Sequence, residues 1–368
     1  MGVSVSKQAE EAAMELRYGI NPQQAAEFEG SAVRMVNGQP SYVNLLDALN
    51  AWQLVREASR ALGRTVAASF KHVSPAGAAL SGPIDQVTAD LYGMDDVGPV
   101  ASAYLRARDA DPKCSYGDFA AVSAPVDAEL AELLSAVVCD GIVAPGFEPG
   151  TVATLSAKKG GRFLVVEADP DFVPPQRETR EVFGMRLTQD RDPVPLTRSL
   201  LGECLPSTAV DDLLLGMAVL RYTQSNSVCY VKDGVTLGIG AGQQSRVDCT
   251  RLAGSKVDIW WLRRHPAVRV LLDVKPGTRR QDLINEQIRY IEEDLTAIER
   301  AEWMERLSGV SFVSDGYLPF RDNVDHAAKH GVRYIAEPGG SIRSEEVAEA
   351  CRKHGITLVR TDLRLFHH

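Results

Sequence analysis

Several classes of protein are excluded by what this sequence lacks. No run of about 18 apolar residues occurs among its 368 positions, so no membrane-spanning helix is predicted. Met1 to Glu15 contains no apolar core of the signal-peptide kind. Six cysteines stand at 114, 139, 204, 229, 249 and 351 without a CxxC pair. That pattern argues for reduced thiols and against a disulfide framework or a cysteine-based zinc site. A cytoplasmic protein is the expectation. A basic excess is also missing: 40 Lys and Arg face 49 Asp and Glu, a formal net charge of −9. General nucleic-acid binding needs the opposite balance. A small anionic ligand remains compatible, because a few converging arginines can hold a phosphate. The sequence has no HExxH, no Walker lysine, no dinucleotide glycine fingerprint and no G-x-S-x-G elbow. His326 and His330 lie four apart on a predicted helix but lack the accompanying Glu, so they read as a solvated face.

What is present is an ordinary globular composition, 45% hydrophobic and 24% charged, with length for two or three domains. Ser41 to Leu62 reads as a helix, with Leu45, Leu49, Trp52 and Val55 on one face. An apolar run from Thr65 to Phe70 reads as a buried strand ending in Lys71-His72, just before the turn-forming Ser74-Pro75-Ala76-Gly77. Further strands are expected at Ala136–Ala144 and Arg162–Val166. Residues 170–195 read as a connection, Asp211–Tyr222 as an apolar helix, and the surroundings of Lys232-Asp233-Gly234 as a hairpin. Gln281–Leu307 reads as a broken or bent helix. The last sixty residues alternate strand and helix: strands at Val310–Ser314, Arg333–Ala336 and Ile356–Arg360, helices at Asp322–His330 and Ser344–His354. The fold class expected is α/β with a parallel component.

Three stretches could carry chemistry, and each also has a plainer reading. Lys71-His72, following a buried strand, suits acid/base work and oxyanion stabilisation. Taken locally, a strand end turning polar at the surface is the plainer reading. Gly238, Gly240 and Gly242 could admit a ligand to the backbone beside Arg246, or mark a strand with tight turns. Tyr222-Thr223-Gln224-Ser225-Asn226-Ser227 offers a dense set of oxygens. These suit a hard monovalent cation, a helix-end network, or an amide aimed at substrate.

The segments LRYGINPQQ from Leu16, SYVNLLDALNAWQLV from Ser41, ASFKHVSPAGAA from Ala68 and CSYGDFAAVS from Cys114 share one resemblance. So do SAVVCDGIVAPGFE from Ser135, YTQSNSVCYVKDG from Tyr222, LGIGAGQQSRVDCTRLAGSKVDIWWLRRHP from Leu237, SDGYLPFRDNVDHA from Ser314 and the terminal LRLFHH. The chain resembles, almost end to end and in order, the transformylase portion of the bifunctional purine enzyme. That enzyme joins aminoimidazole carboxamide ribonucleotide (AICAR) transformylase to inosinate cyclohydrolase. The resemblance implies two cytidine-deaminase-like α/β units without zinc, joined by a partly helical connecting region. On this reading they fall at 1–175 and 264–368, with the connection at 176–263. It implies formyl transfer from 10-formyltetrahydrofolate to the 5-amino group of AICAR, and a homodimer with its active site at the subunit interface.

The resemblance also implies roles. Lys71, His72, Asn226 and Asp322 match catalytic positions, the last beside the folate. Arg17, Tyr18, Gly117, Asp140, Arg246, Tyr317 and Arg364 match substrate-contacting positions, with Tyr317 where relatives often carry Phe. Ser341 falls in a folate-contacting loop. Leu220, Thr223, Ser225, Ser227, Asp315, Leu365 and His367 match a potassium site, Leu220 through its main-chain carbonyl. Only about fifteen residues precede Leu16, so the cyclohydrolase step is expected of a separate protein. Shortening relative to the family is expected after Pro170. Two other functions fit the same residues: formylation of a different amino-heterocycle nucleotide, or non-catalytic nucleotide or folate binding.

Overall fold

A computed structural model describes residues 13–273 and 278–368. Its centre is one eleven-stranded sheet. In chain order the strands are β1 (Val33–Asn37), β2 (Val66–Lys71), β3 (Ser74–Leu80), β4 (Asp118–Val122), β5 (Cys139–Ala144) and β6 (Leu164–Ala168). After them come β7 (Val228–Lys232), β8 (Val235–Gly240), β9 (Val310–Ser314), β10 (Val332–Glu337) and β11 (Thr357–Arg360). Across the sheet they run β11-β10-β9-β7-β8-β3-β2-β4-β5-β6-β1. The fold is therefore mixed α/β.

The topology repeats itself. Helix α1 (Tyr42–Leu62) precedes hairpin β2-β3, helix α2 (Pro99–Ala110) follows it, and β4, β5 and β6 run parallel to one another. Helix α3 (Ser207–Arg221) precedes hairpin β7-β8, helix α4 (Arg246–Leu262) follows it, and β9, β10 and β11 run parallel. In each half the third strand pairs antiparallel with the first strand of the hairpin. The halves meet where β3 and β8 pair antiparallel through Ala79 and Val235. Close packing recurs too. A Cβ on Gly77 would sit 2.1 Å from the Ala107 carbonyl oxygen, and one on Gly238 would sit 2.2 Å from that of Ala253. Each glycine lets a helix press onto its hairpin. The second half begins at Ser207, inside the stretch 176–263 that the resemblance assigns to a connection. Buried apolar side chains form separate clusters, one with Leu54, Val55, Phe70, Leu213, Leu214 and Val313, another with Ala67, Leu105, Ala120 and Ile142.

Several local readings are corrected. Ser74-Pro75-Ala76-Gly77 is strand, not turn: the chain reverses at His72-Val73, and Gly77 serves helix contact. Lys71-His72 therefore stand where one strand of an antiparallel hairpin ends and its turn begins. Ala136 ends a helix (Ala128–Ala136) that Asp127 caps and whose Leu130, Leu133 and Leu134 pack inward, so the strand starts only at Cys139. The stretch 170–195 contains an exposed hairpin, Arg177–Val182 with Met185–Asp190. The helix at Gln281–Leu307 is broken, as expected, into Arg280–Glu293 and Ala297–Met304, where Thr296 and Glu299 form a capping box. No described helix is long and apolar enough to cross a membrane, and all six cysteines are free.

Candidate functional site

β2 runs toward one end of the sheet, and the carboxyl ends of β9 and β10 reach the same end. Most of the sequence-predicted site residues gather there, in two groups. The first surrounds the hairpin turn. Lys71 donates from Nζ to the Tyr116 carbonyl at 2.6 Å. His72 is exposed. His72 and Val73 adopt φ of 55° and 59°, the left-handed region. Gly117, at φ 78°, supplies the bend that brings the Tyr116 carbonyl to Lys71. Beneath them Asp118, fully buried, accepts from Ser69 Oγ at 2.7 Å and Tyr104 OH at 3.0 Å, and pairs with Arg108. Ser69 Oγ lies 2.8 Å from Ser115 Oγ. This satisfied network fixes the Ser115–Gly117 loop from below. Asp140 pairs with Lys159 nearby. Arg17 lies 4.9 Å over the Tyr18 ring, and the Tyr18 carbonyl accepts the Tyr42 N–H at the start of α1.

The second group is built on Asp315, which follows β9 and is fully buried. Its Oδ2 accepts from Ser225 Oγ (2.6 Å), Ser227 N–H (2.9 Å) and Ser227 Oγ (2.9 Å). Its Oδ1 pairs with Arg246, which also donates to the Ser227 carbonyl at 3.0 Å and to Asn226 Oδ1 at 2.7 Å. Asn226 Nδ2 donates to the Gln243 and Gln244 carbonyls at 2.8 and 3.1 Å. Its amide is thus engaged within the loop. The C-terminal tail is stitched to the same group. Leu365 N–H donates to the Asp315 carbonyl at 2.9 Å, His367 N–H to Ser225 Oγ at 3.1 Å, and Ser225 N–H to the His367 carbonyl at 3.0 Å. Thr223 N–H donates to the Leu220 carbonyl. The seven residues expected around potassium therefore occupy one neighbourhood. Their donors are hydroxyls, carbonyls and one carboxylate, a chemistry suited to a hard cation. Burial lowers the His367 pKa.

Tyr317 is half exposed, and the Phe320 ring lies 5.0 Å from the Arg343 guanidinium. Asp322 opens the helix Asp322–Ala328 and accepts from Asn323 Nδ2 at 2.8 Å. Ser341 Oγ accepts the Arg343 N–H at 3.1 Å. Arg364 lies 4.7 Å from the Phe366 ring, and that ring packs where a Cβ on Gly316 would stand, beside Arg246. What the fold does not join is the pair Lys71-His72 and Asn226. Three inter-strand gaps separate β2 from β7, about 14 Å. His326 meets Arg251 and His330 meets Asp258. Among the described residues no group of three or more His, Cys, Asp or Glu could hold a metal.

Sequence reasoning missed Asp47 and the Tyr116 carbonyl. Asp47 is 6% exposed on α1, accepts the Val73 N–H at 2.6 Å, and burial raises its pKa to about 6. The available signal was a carboxylate lying among the buried positions 45, 48 and 51 of an amphipathic helix. A main-chain acceptor such as Tyr116 leaves no mark in a sequence.

Comparison with known proteins identifies the family. Residues 3–256 match the AICARFT/IMPCHase bienzyme family. A bifunctional purine biosynthesis protein PurH from Cereibacter sphaeroides is 33% identical over 369 residues, covering 97% of this chain and 60% of that protein. A PurH from Magnetococcus marinus is 31% identical over 371 residues, covering 96% and 59%. The chain thus spans about 60% of the length of these curated relatives. With the family matched over more than half of its residues, the chain belongs to the AICARFT/IMPCHase bienzyme family.

Proposed function

We propose that this chain transfers the formyl group of 10-formyltetrahydrofolate to the 5-amino group of AICAR, giving FAICAR and tetrahydrofolate in purine biosynthesis. The observation that carries the reading is the placement of Lys71-His72, Asn226, Arg246 and Asp322 at the same end of a single sheet, in a member of this family. The acceptor amine is a weak nucleophile, because its lone pair delocalises into the imidazole carboxamide. His72, exposed on its turn, takes the amine proton as the nitrogen attacks the formyl carbon. Lys71 donates to the oxyanion of the tetrahedral intermediate, exchanging its bond to the Tyr116 carbonyl. Asn226 adds a second donor once its bonds to Gln243 and Gln244 are exchanged. A proton delivered by Lys71, or by a water held at Asp322, lets the folate nitrogen depart. Arg17, Arg246 and Arg364, with Tyr18, Gly117, Asp140 and Tyr317, bind the nucleotide. Planar guanidinium forks suit its phosphate and carboxamide oxygens. Ser341 and Asp322 face the folate.

Leu220, Thr223, Ser225, Ser227, Asp315, Leu365 and His367 would hold a potassium ion that stiffens the Asn226 loop. A homodimer completes the site, since about 14 Å separates Lys71-His72 from Asn226 within one chain. The two halves of the sheet would be the two cytidine-deaminase-like units, with the second opening at Ser207 rather than at 264, so that most of 176–263 belongs to it. Ring closure of FAICAR is a later reaction than the one assigned to these residues, and the protein works in the cytoplasm.

The test follows tetrahydrofolate release from 10-formyltetrahydrofolate and AICAR. Turnover in the wild type, with loss in His72→Ala and retained AICAR binding, supports the reading. Turnover only with another amine would move the acceptor. Tight binding without chemistry on any amine would refute catalysis.

A further inference from the structure

The internal repeat supplies a control for the turn that carries His72. In the first half the turn is His72-Val73, flanked by the pair Lys71 and Ser74. In the second half it is Asp233-Gly234, flanked by Lys232 and Val235. Both hairpins carry a register shift at the same place, between Ser69 and Phe70 and between Tyr230 and Val231. Both turns lie in the left-handed region, at φ 55° and 59° in the first and 53° and 72° in the second. Two-residue turns of this kind favour Asp-Gly, so the second is chemically at ease. The first is not: Val73 is β-branched, and a β-branched residue at positive φ is a genuine outlier. Something outside the turn must hold it there.

The same brace is built into both halves. Asp47 is the sixth residue of α1, and its Oδ1 accepts the Val73 N–H at 2.6 Å. Asp212 is the sixth residue of α3, and it accepts the Gly234 N–H at 2.6 Å and the Asp233 N–H at 3.2 Å. Both carboxylates are buried, 6% and 3% exposed. Only the first turn depends on its brace, because only the first lacks glycine. That turn also carries the imidazole. We propose that Asp47 is a positioning residue: by accepting the Val73 N–H from beneath the hairpin, it holds the strained turn that aims His72 at the acceptor amine. Asp47 lies under the backbone and need not touch substrate. The proposal rests on the reading of His72 as the proton acceptor.

The test uses the full chain with AICAR and 10-formyltetrahydrofolate, reading kcat and KM separately. Asp47→Ala is expected to lower kcat by about 10- to 100-fold, the scale of an ångström-sized misplacement, with little change in either KM. Asp47→Asn keeps an oxygen that accepts the same N–H and is expected to retain kcat within about threefold of wild type. Adding Val73→Gly to Asp47→Ala restores about tenfold of the loss, because glycine adopts the turn unaided. Asp47→Ala adds nothing to His72→Ala. Equal damage from Asp47→Asn and Asp47→Ala, with no recovery from Val73→Gly, overturns the proposal. Should Asp47→Ala not fold, the double variant decides. A folded double variant with a tenth or more of wild-type turnover supports the brace; one as slow as His72→Ala overturns it. Turnover lost in His72→Ala but intact in Asp47→Ala sinks the Asp47 proposal alone. Turnover retained in His72→Ala sinks the reading of His72, and the proposal with it.

Discussion

Asp315→Asn is the sharpest probe of the second half of the site. The substitution keeps the shape and the acceptor for the Ser227 N–H but removes the charge. Arg246 then remains 8% exposed with no carboxylate, since Asp315 is the only ion-pair partner it has among the described residues. Breaking a buried pair from one side costs about 3–5 kcal/mol, because the other charge stays desolvated. Removing both charges, as in Asp315→Asn with Arg246→Met, leaves no unpaired charge, though the Ser227 carbonyl and Asn226 Oδ1 lose a donor, and is expected to recover about half of that loss. The assay is urea denaturation followed by tryptophan fluorescence and by circular dichroism, with coincident transitions required before a single free energy is read. Turnover should separate from stability. Arg246 holds Asn226 Oδ1 at 2.7 Å, so the double variant regains stability but stays slow. A loss under about 1 kcal/mol in Asp315→Asn would refute the account of a buried, mutually dependent pair. So would a double variant less stable than the single one.

Three further outcomes are expected. Burial raises Asp47 to about 6 and Asp212 to about 7 from the usual 3.8. A raised carboxyl favours the folded state below about pH 4, and that contribution is lost as pH climbs through 6 and 7. It amounts to roughly 3 and 4 kcal/mol at 1.36 kcal/mol per unit. The Asp47→Asn/Asp212→Asn variant should therefore lose less stability between pH 4 and 8 than the wild type, and parallel pH curves would contradict the assignment. Gly77→Ala and Gly238→Ala each drive a methyl group against a helix carbonyl, at 2.1 and 2.2 Å. Both should destabilise, by roughly 1–3 kcal/mol or more, and to a similar extent if the halves are equivalent. Replacing potassium by a bulky organic cation should lower the thermal midpoint of the wild type and leave Ser225→Ala/Ser227→Ala unchanged; equal shifts in both would remove the cation from this loop.

Local patterning made much of the fold legible. The helix from Tyr42 to Leu62 begins where Ser41 caps it and ends at Gly63, both plain in the sequence. The last sixty residues alternate with enough regularity that Ser344–His354 was bounded correctly at both ends. Where local chemistry misled, a tertiary contact had claimed the residue. Pro75 and Gly77 look like a turn, yet they lie in a strand because α2 needs a surface without side chains at Gly77. His72 and Val73 look like strand, yet they form the turn because Asp47, 26 positions away, accepts the Val73 N–H.

The candidate site divides the same way. Colinear segments identified which residues to ask about, from Lys71 to Arg364. Residue type alone said what each could donate or accept. Those are properties of short stretches, and a sequence carries them directly. The tertiary structure decided which of them meet. It joined Ser225, Ser227, Arg246 and Asp315, spread over some ninety positions, into one hydrogen-bonded unit. It tied Asn226 into its own loop and set Lys71-His72 three strands away. It also showed that the two expected α/β units share one sheet and repeat each other hairpin for hairpin, a plan that no short repeat in the sequence betrays. Backbone pairing and helix approach define that plan, and many different side chains satisfy both.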